Sequence, residues 1–222
     1  MVPRRLLTLA LAAEGALALV GVAWSRIRHI PLVSGPPLLS LAAGTSAAFL
    51  LAGLYGWLLS SGPNVAPVRA MRRLYHGLLR TVFGNLGLPE IVLISIVAGV
   101  GEEILFRGVL QRECGLVVAS LAFGAAHVGG REMVVLGVWA AATGFALGGL
   151  ALATGGLMAP IVTHALYDAL ALAYIRWGPL PPSGRPAGSG DGAIEPGDAP
   201  PGDVERESAA RQERGDPKGS IL

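Results

Sequence analysis

The sequence predicts an all-α protein: a polytopic transmembrane helical bundle of about six spans, with an interfacial amphipathic helix and a disordered C-terminal tail. Three observations carry that prediction. Of 222 residues, 52% are hydrophobic and only 14% charged, against about 25% charged in a soluble domain. The apolar residues fall in runs long enough for lipid, since a helix needs roughly 20 residues to cross a hydrocarbon core of about 30 Å. From residue 178 onward the chain turns to Gly, Pro and charge, with too little apolar surface to offset the entropy of ordering.

The first span covers residues 6–24, behind Arg4 and Arg5. A charged start before an apolar run resembles a signal peptide, but Glu14 interrupts the run and no small-residue cleavage site follows, so a retained helix is expected. The second span, 38–59, closes at Ser60-Ser61-Gly62-Pro63. Residues 67–84 place Arg69, Arg72, Arg73 and Arg80 among Met71, Leu74, Leu78 and Leu79, the pattern of a helix lying in the membrane interface. The third span, 89–111, opens on a proline, which costs no needed donor in a first turn. A short fourth span, 115–128, is followed by a fifth at 133–153 and a sixth at 157–174. Three regions result: N-terminal helices (1–88), a helical core (89–177) and a tail (178–222).

Charge sets orientation and excludes some partners. Residues 1–177 hold twelve arginines and seven acids. Arginines flanking spans follow the positive-inside rule, and so call for no nucleic acid. Arg4 and Arg5 share a side with the 69–80 cluster, which puts both termini in the cytoplasm; Arg26 and Arg28 oppose this. A cell-membrane location is expected, with lipid as one partner. One cysteine, Cys114, rules out an intramolecular disulfide or a multi-cysteine metal cluster and reads as a buried spectator thiol.

The chemistry gathers in the third, fourth and sixth spans. Gly101-Glu102-Glu103-Ile104-Leu105-Phe106-Arg107 sets two carboxylates and a guanidinium inside an apolar run. Each ionisable group at membrane depth costs about 2.5–3.5 kcal/mol on insertion scales and survives only facing a partner or a wet cavity. Glu103 and Arg107, four apart, share a helix face, while Glu102 lies about 100° around. One Glu is therefore available for proton transfer and the other for a Glu–Arg brace. His127 follows Phe123 by four residues, and His164 precedes Asp168 by four, so a carboxylate can orient that imidazole. His29 and His76 lie in polar settings and read as solvated. A Glu/His set either binds a divalent metal or activates water as a general base. No Gly-x-Ser-x-Gly elbow and no His-Glu-x-x-His pair is present, so water activation is preferred over an acyl-enzyme.

Glu-Glu-x-x-x-Arg, then Phe-x-x-x-His, then His-x-x-x-Asp, in this order over residues 89–175, resembles the CPBP family, the CAAX-protease and bacteriocin-processing (Abi) intramembrane proteases. The resemblance implies an intramembrane endopeptidase acting on a membrane-associated or CaaX-like protein or peptide, with or without a lipid modification. It implies Glu102 and His127 as the water-activating pair, His164 and Asp168 at the oxyanion, and Glu103 with Arg107 in support. Phe123 is expected to line the substrate site. The resemblance leaves the cofactor open: none for a glutamate-type enzyme, or zinc held by Glu102, His127 and His164. The family often carries Asn where this chain has Asp168, and an ionised Asp cannot donate to an oxyanion; orientation of His164 is its expected task. The competing expectations are an inactive immunity or scaffolding protein of the same fold, and a proton-coupled transporter.

Overall fold

The computed structural model describes residues 4–179, the side chain of Arg4 excepted. The expected tail from residue 180 onward lies outside the described residues. Within them the structure is helical: α1 (Arg4–Ile27), α2 (Pro37–Ser60), α3 (Ala66–Leu74), a π-helical turn at Tyr75–Leu79, α4 (Arg80–Phe83), α5 (Leu88–Glu103), a second π-helical segment at Ile104–Leu110, α6 (Gln111–Ala126), a 3₁₀ turn at Arg131–Met133, α7 (Val134–Thr154) and α8 (Met158–Trp177). Proline opens the first turn of α2 and of α5, where its missing N–H is not needed. Glu90 accepts from the Gly87 amide at 2.6 Å and closes the α5 N-terminus. Gly155, left-handed at φ 69°, ends α7, as a C-terminal glycine does.

Four helices among the described residues are long and apolar enough to cross a membrane, corresponding to α1, α2, α7 and α8. A fifth crossing is counted if the bent run through residues 66–126 is taken as one span. The expectation of six thus comes down to four or five, and the reason lies at Gly115. Its φ of 82° breaks the helix, and the chain doubles back there: the rings of Phe106 and Phe123 meet at 5.1 Å, although 17 helical residues would separate them by about 25 Å. The returning arm, residues 116–126, is about 16 Å long at 1.5 Å per residue, too short for the hydrocarbon core. Cys114 sits at this turn and is exposed, which corrects the expectation of a buried thiol: the reversal turns the residues before Gly115 outward.

The bundle presents apolar side chains on its outside, among them Leu9, Leu19, Leu38, Leu50 and Leu152, as a lipid-facing surface requires. Polar residues lie inside: Glu102, Glu103, Arg107, Thr163 and His164 are all buried. The amphipathic segment behaves as expected on one face, burying Val68, Met71 and Leu74. Arg72, however, points inward and donates to the carbonyls of Leu58, Leu59 and Gly62 at 2.9–3.0 Å. It satisfies the unpaired carbonyls at the end of α2, and so ties α3 to that end. An apolar cluster of Tyr55, Leu59, Met71, Leu74, Tyr75, Leu79 and Ile175 then joins α2, α3 and α8.

Small residues set the approach of helices to one another, as is usual where lipid offers no hydrophobic drive for association. A Cβ at Gly44 of α2 would lie 2.7 Å from the Ala159 carbonyl of α8, and Thr163 donates to the Gly44 carbonyl at 3.0 Å. A Cβ at Gly99 of α5 would lie 2.8 Å from the Ala165 amide nitrogen. The N-terminal helices therefore pack straight onto the helices of the 89–177 region. Gly99→Val forces α5 and α8 apart beside His164, and overpacking of this kind costs about 1–3 kcal/mol. A lower thermal unfolding midpoint of the detergent-solubilised variant is expected, followed by tryptophan fluorescence.

Candidate active site

The second π-helical segment begins directly after Glu103 and carries Arg107. Such widened turns inside α-helices recur at functional sites. Arg107 Nη1 donates to Glu103 Oε1 at 2.7 Å, and Arg107 Nη2 donates to the Gly144 carbonyl of α7 at 3.2 Å. The guanidinium also lies 4.2 Å from the centre of the Phe123 ring, within cation–π range. Glu103 is fully buried at 0% exposure and Arg107 at 2%. Neither charge faces lipid.

The same Glu103 Oε1 meets His164 Nδ1 of α8 at 2.7 Å. With Nδ1 bearing its hydrogen toward Glu103, the other ring nitrogen, Nε2, is left to the cavity. There it stands 3.5 Å from Asp168 Oδ2 and 3.8 Å from Glu102 Oε2. The carboxylate that orients His164 through Nδ1 is thus Glu103, from 61 residues earlier, and Asp168 faces the opposite nitrogen.

His127 stands at the C-terminal end of α6. Its Nδ1 is 2.8 Å from the Phe123 carbonyl, and donation there leaves Nε2 as the acceptor of the neutral ring. The Phe123 ring touches that of His127 at 4.8 Å and that of His164 at 5.7 Å. Only 2% exposed, Phe123 serves chiefly as the floor on which both imidazoles and Arg107 rest, and a margin of it reaches the cavity.

A cavity of about 280 Å³ brings together Glu102, Phe123, His127, His164 and Asp168. The residues singled out in three separate stretches of sequence therefore meet, with Glu103 and Arg107 immediately behind them. His29 and His76 do not line it. One residue of the lining was passed over as a site residue: Glu14 of α1. The signal was present in the sequence, since a lone acid inside an apolar span marks a functional position in the same way as Glu102 does.

For a metal, three donors must converge. Among the described residues no group of three or more His, Cys, Asp or Glu side chains is arranged to hold a metal ion. Glu102, His127 and His164 line one cavity but do not converge there as a three-ligand set.

Removing Arg107 strands a fully buried carboxylate, and breaking such a pair costs about 3–5 kcal/mol. Arg107→Ala is expected to lower the denaturation midpoint by that order. Arg107→Lys is expected to recover only part, since one ammonium cannot serve both Glu103 and the Gly144 carbonyl in the planar fork that Arg offers. Chemical denaturation in mild detergent reads both.

Comparison with known proteins agrees with this geometry. Residues 83–170 match the family described as type II CAAX prenyl endopeptidase Rce1-like. A protein of Bacillus subtilis named "Uncharacterized protein YpbD" is 35% identical over 101 residues, which is 46% of this chain and 53% of that protein. The chain thus spans about half the length of that relative. No solved structure matches the chain. The matched residues carry all three motifs, so this segment is similar to the Rce1-like family over 83–170.

Proposed function

We propose that this integral membrane protein is an intramembrane endopeptidase that hydrolyses a peptide bond of a membrane-associated protein or peptide with a water activated by Glu102 and His127. The observation that carries the reading is the division of labour among the carboxylates. Glu103 is held through Oε1 by Arg107 and His164 and stands behind the cavity, whereas Glu102 lines the cavity with His127 and accepts no hydrogen bond at Oε2, which lies 3.8 Å from His164 Nε2. A free carboxylate and a free imidazole nitrogen on one cavity are what proton abstraction from water requires.

In this mechanism Glu102 and His127 take a proton from water, and the water oxygen attacks the peptide carbonyl carbon. Negative charge then gathers on the carbonyl oxygen. His164, held through Nδ1 by Glu103, donates from Nε2 to that oxygen as an imidazolium, with Asp168 beside Nε2. The proton held by Glu102 passes to the leaving amine as the C–N bond breaks. The region 89–177 supplies these groups, and the helices of 1–88 close the cavity from one side. No step runs through a metal. The charge pattern supports a cell-membrane location with the N-terminus in the cytoplasm; the C-terminus shares that side with four crossings and takes the other with five.

Glu102→Gln and His127→Ala are each expected to lower kcat about 10²–10⁴-fold, the range of general acid–base contributions, in purified protein at full thermal stability. Activity persisting in both variants overturns the mechanism. Asp168→Asn removes a charged hydrogen-bond partner worth about 1.5–3 kcal/mol, and so is expected to lower kcat about ten- to hundredfold; unchanged or increased activity removes the carboxylate from the mechanism. Metal analysis with a chelator titration completes the test: chelator-resistant activity accords with glutamate-type catalysis, and a loss restored by zinc replaces it with a metal mechanism.

A further inference from the structure

Glu14 belongs to none of the three motifs, yet it reaches the same cavity from α1. The two helices meet closely here, for a Cβ at Gly101 would lie 2.5 Å from the Glu14 carbonyl oxygen. The residue beside Glu102 is thus glycine where α1 passes. Glu14 lines the cavity together with Glu102 and Asp168. Its Oε2 is buried and has no hydrogen-bond partner. Glu102, only 8% exposed, lines the same space, its Oε2 without a hydrogen bond and 3.8 Å from His164 Nε2. Three carboxylates therefore share one small cavity, and no lysine or arginine stands among the described residues lining it. His164 Nε2 stands 3.8 Å from Glu102 Oε2 and 3.5 Å from Asp168 Oδ2, which leaves Glu14 as the carboxylate of the three without a basic side chain beside it. In a lining otherwise made of Leu51, Tyr55, Phe83, Trp139 and similar residues, the unpartnered Glu14 carboxyl suits a cationic group, because buried carboxylates persist only when paired or neutralised.

We infer that Glu14 is a specificity-determining residue that receives the basic side chain of a lysine or arginine next to the scissile bond. The inference rests on the proteolytic reading above and names the substrate class for it. A lysine or arginine stem is apolar and packs on aliphatic and aromatic walls while its head seeks a carboxylate, and the rings of Tyr55 and Trp139 add cation–π attraction. The same acidic lining repels a free C-terminal carboxylate. The favoured substrate is therefore an internal stretch of chain such as the basic flank of a transmembrane helix, where lysine and arginine collect.

The test uses the full-length protein in lipid nanodiscs and fluorescein-labelled decapeptides of Leu and Ala carrying one Lys, norleucine or Glu at a single position. Binding is read on ice by fluorescence anisotropy, and cleavage after warming by mass spectrometry. The Lys peptide is expected to bind at least tenfold more tightly than the norleucine peptide, and the Glu peptide most weakly. Glu14→Gln brings the Lys-to-norleucine ratio close to one, and Glu14→Asp restores part of it. Glu14→Met, similar in shape and uncharged, takes the place of Glu14→Gln if that variant does not fold. No binding by any peptide, a wild type without Lys preference, or a preference that survives loss of the Glu14 charge each overturns the inference. Lys-selective binding without cleavage leaves the inference standing and removes the proteolytic reading. Cleavage without Lys preference does the reverse.

Discussion

One oxygen atom organises this protein. Glu103 Oε1 accepts from Arg107 and from His164, both at 2.7 Å, and through these two partners it joins the π-helical segment to α8. Arg107 extends the join to α7 through the Gly144 carbonyl and to α6 through the Phe123 ring. A carboxylate with no exposed surface cannot be left alone in a medium of low dielectric constant. The helices that carry its partners must therefore stay where they are. The geometry of the cavity follows from that necessity: the nitrogen of His164 that faces it is fixed because the other one is held.

Close approach of helices is the second condition, and glycine supplies it. Gly44 and Gly99 let α8 lie against α2 and α5, so that His164 comes within reach of Glu103 from a helix more than 60 residues away. Gly124 does the same for α6 against α7, where a Cβ would meet the Gly137 carbonyl at 2.6 Å. In a bundle whose exterior is already apolar, no hydrophobic gradient presses helices together. Shape and the buried polar network do that work instead, and each depends on the other.

Much of this was legible in the chain. Pairs at i and i+4 announced themselves: Glu103 with Arg107, Phe123 with His127, His164 with Asp168. Their apolar setting marked them as interior. The long runs that became α1, α2, α7 and α8 were legible for the same reason, since hydrophobic length is a local property. Properties that depend on tertiary contact were not. Spacing along α8 suggested Asp168 as the orienting partner of His164, but a partner from α5 took the Nδ1 position. Arginine in an amphipathic run suggested an outward side chain, but Arg72 turned inward to the carbonyls closing α2. The run from residue 115 was read as a crossing, because hydropathy does not register that a left-handed glycine shortens the arm after it. Glu14 was noticed only as a flaw in an apolar run, because its companions lie on other helices.

The four-residue spacing of Glu103 and Arg107 also bears on how such a chain enters a membrane at all. Both partners sit on one helix, so their charges can meet as soon as that helix has coiled, before any other helix is in place. The pair can pass into lipid as a neutral unit, its two formal charges already shielding each other. His164 and Asp168 arrive with α8, the last described helix, and find the carboxylate already oriented. The buried pair is thus a vehicle for biosynthesis before it is a brace for chemistry.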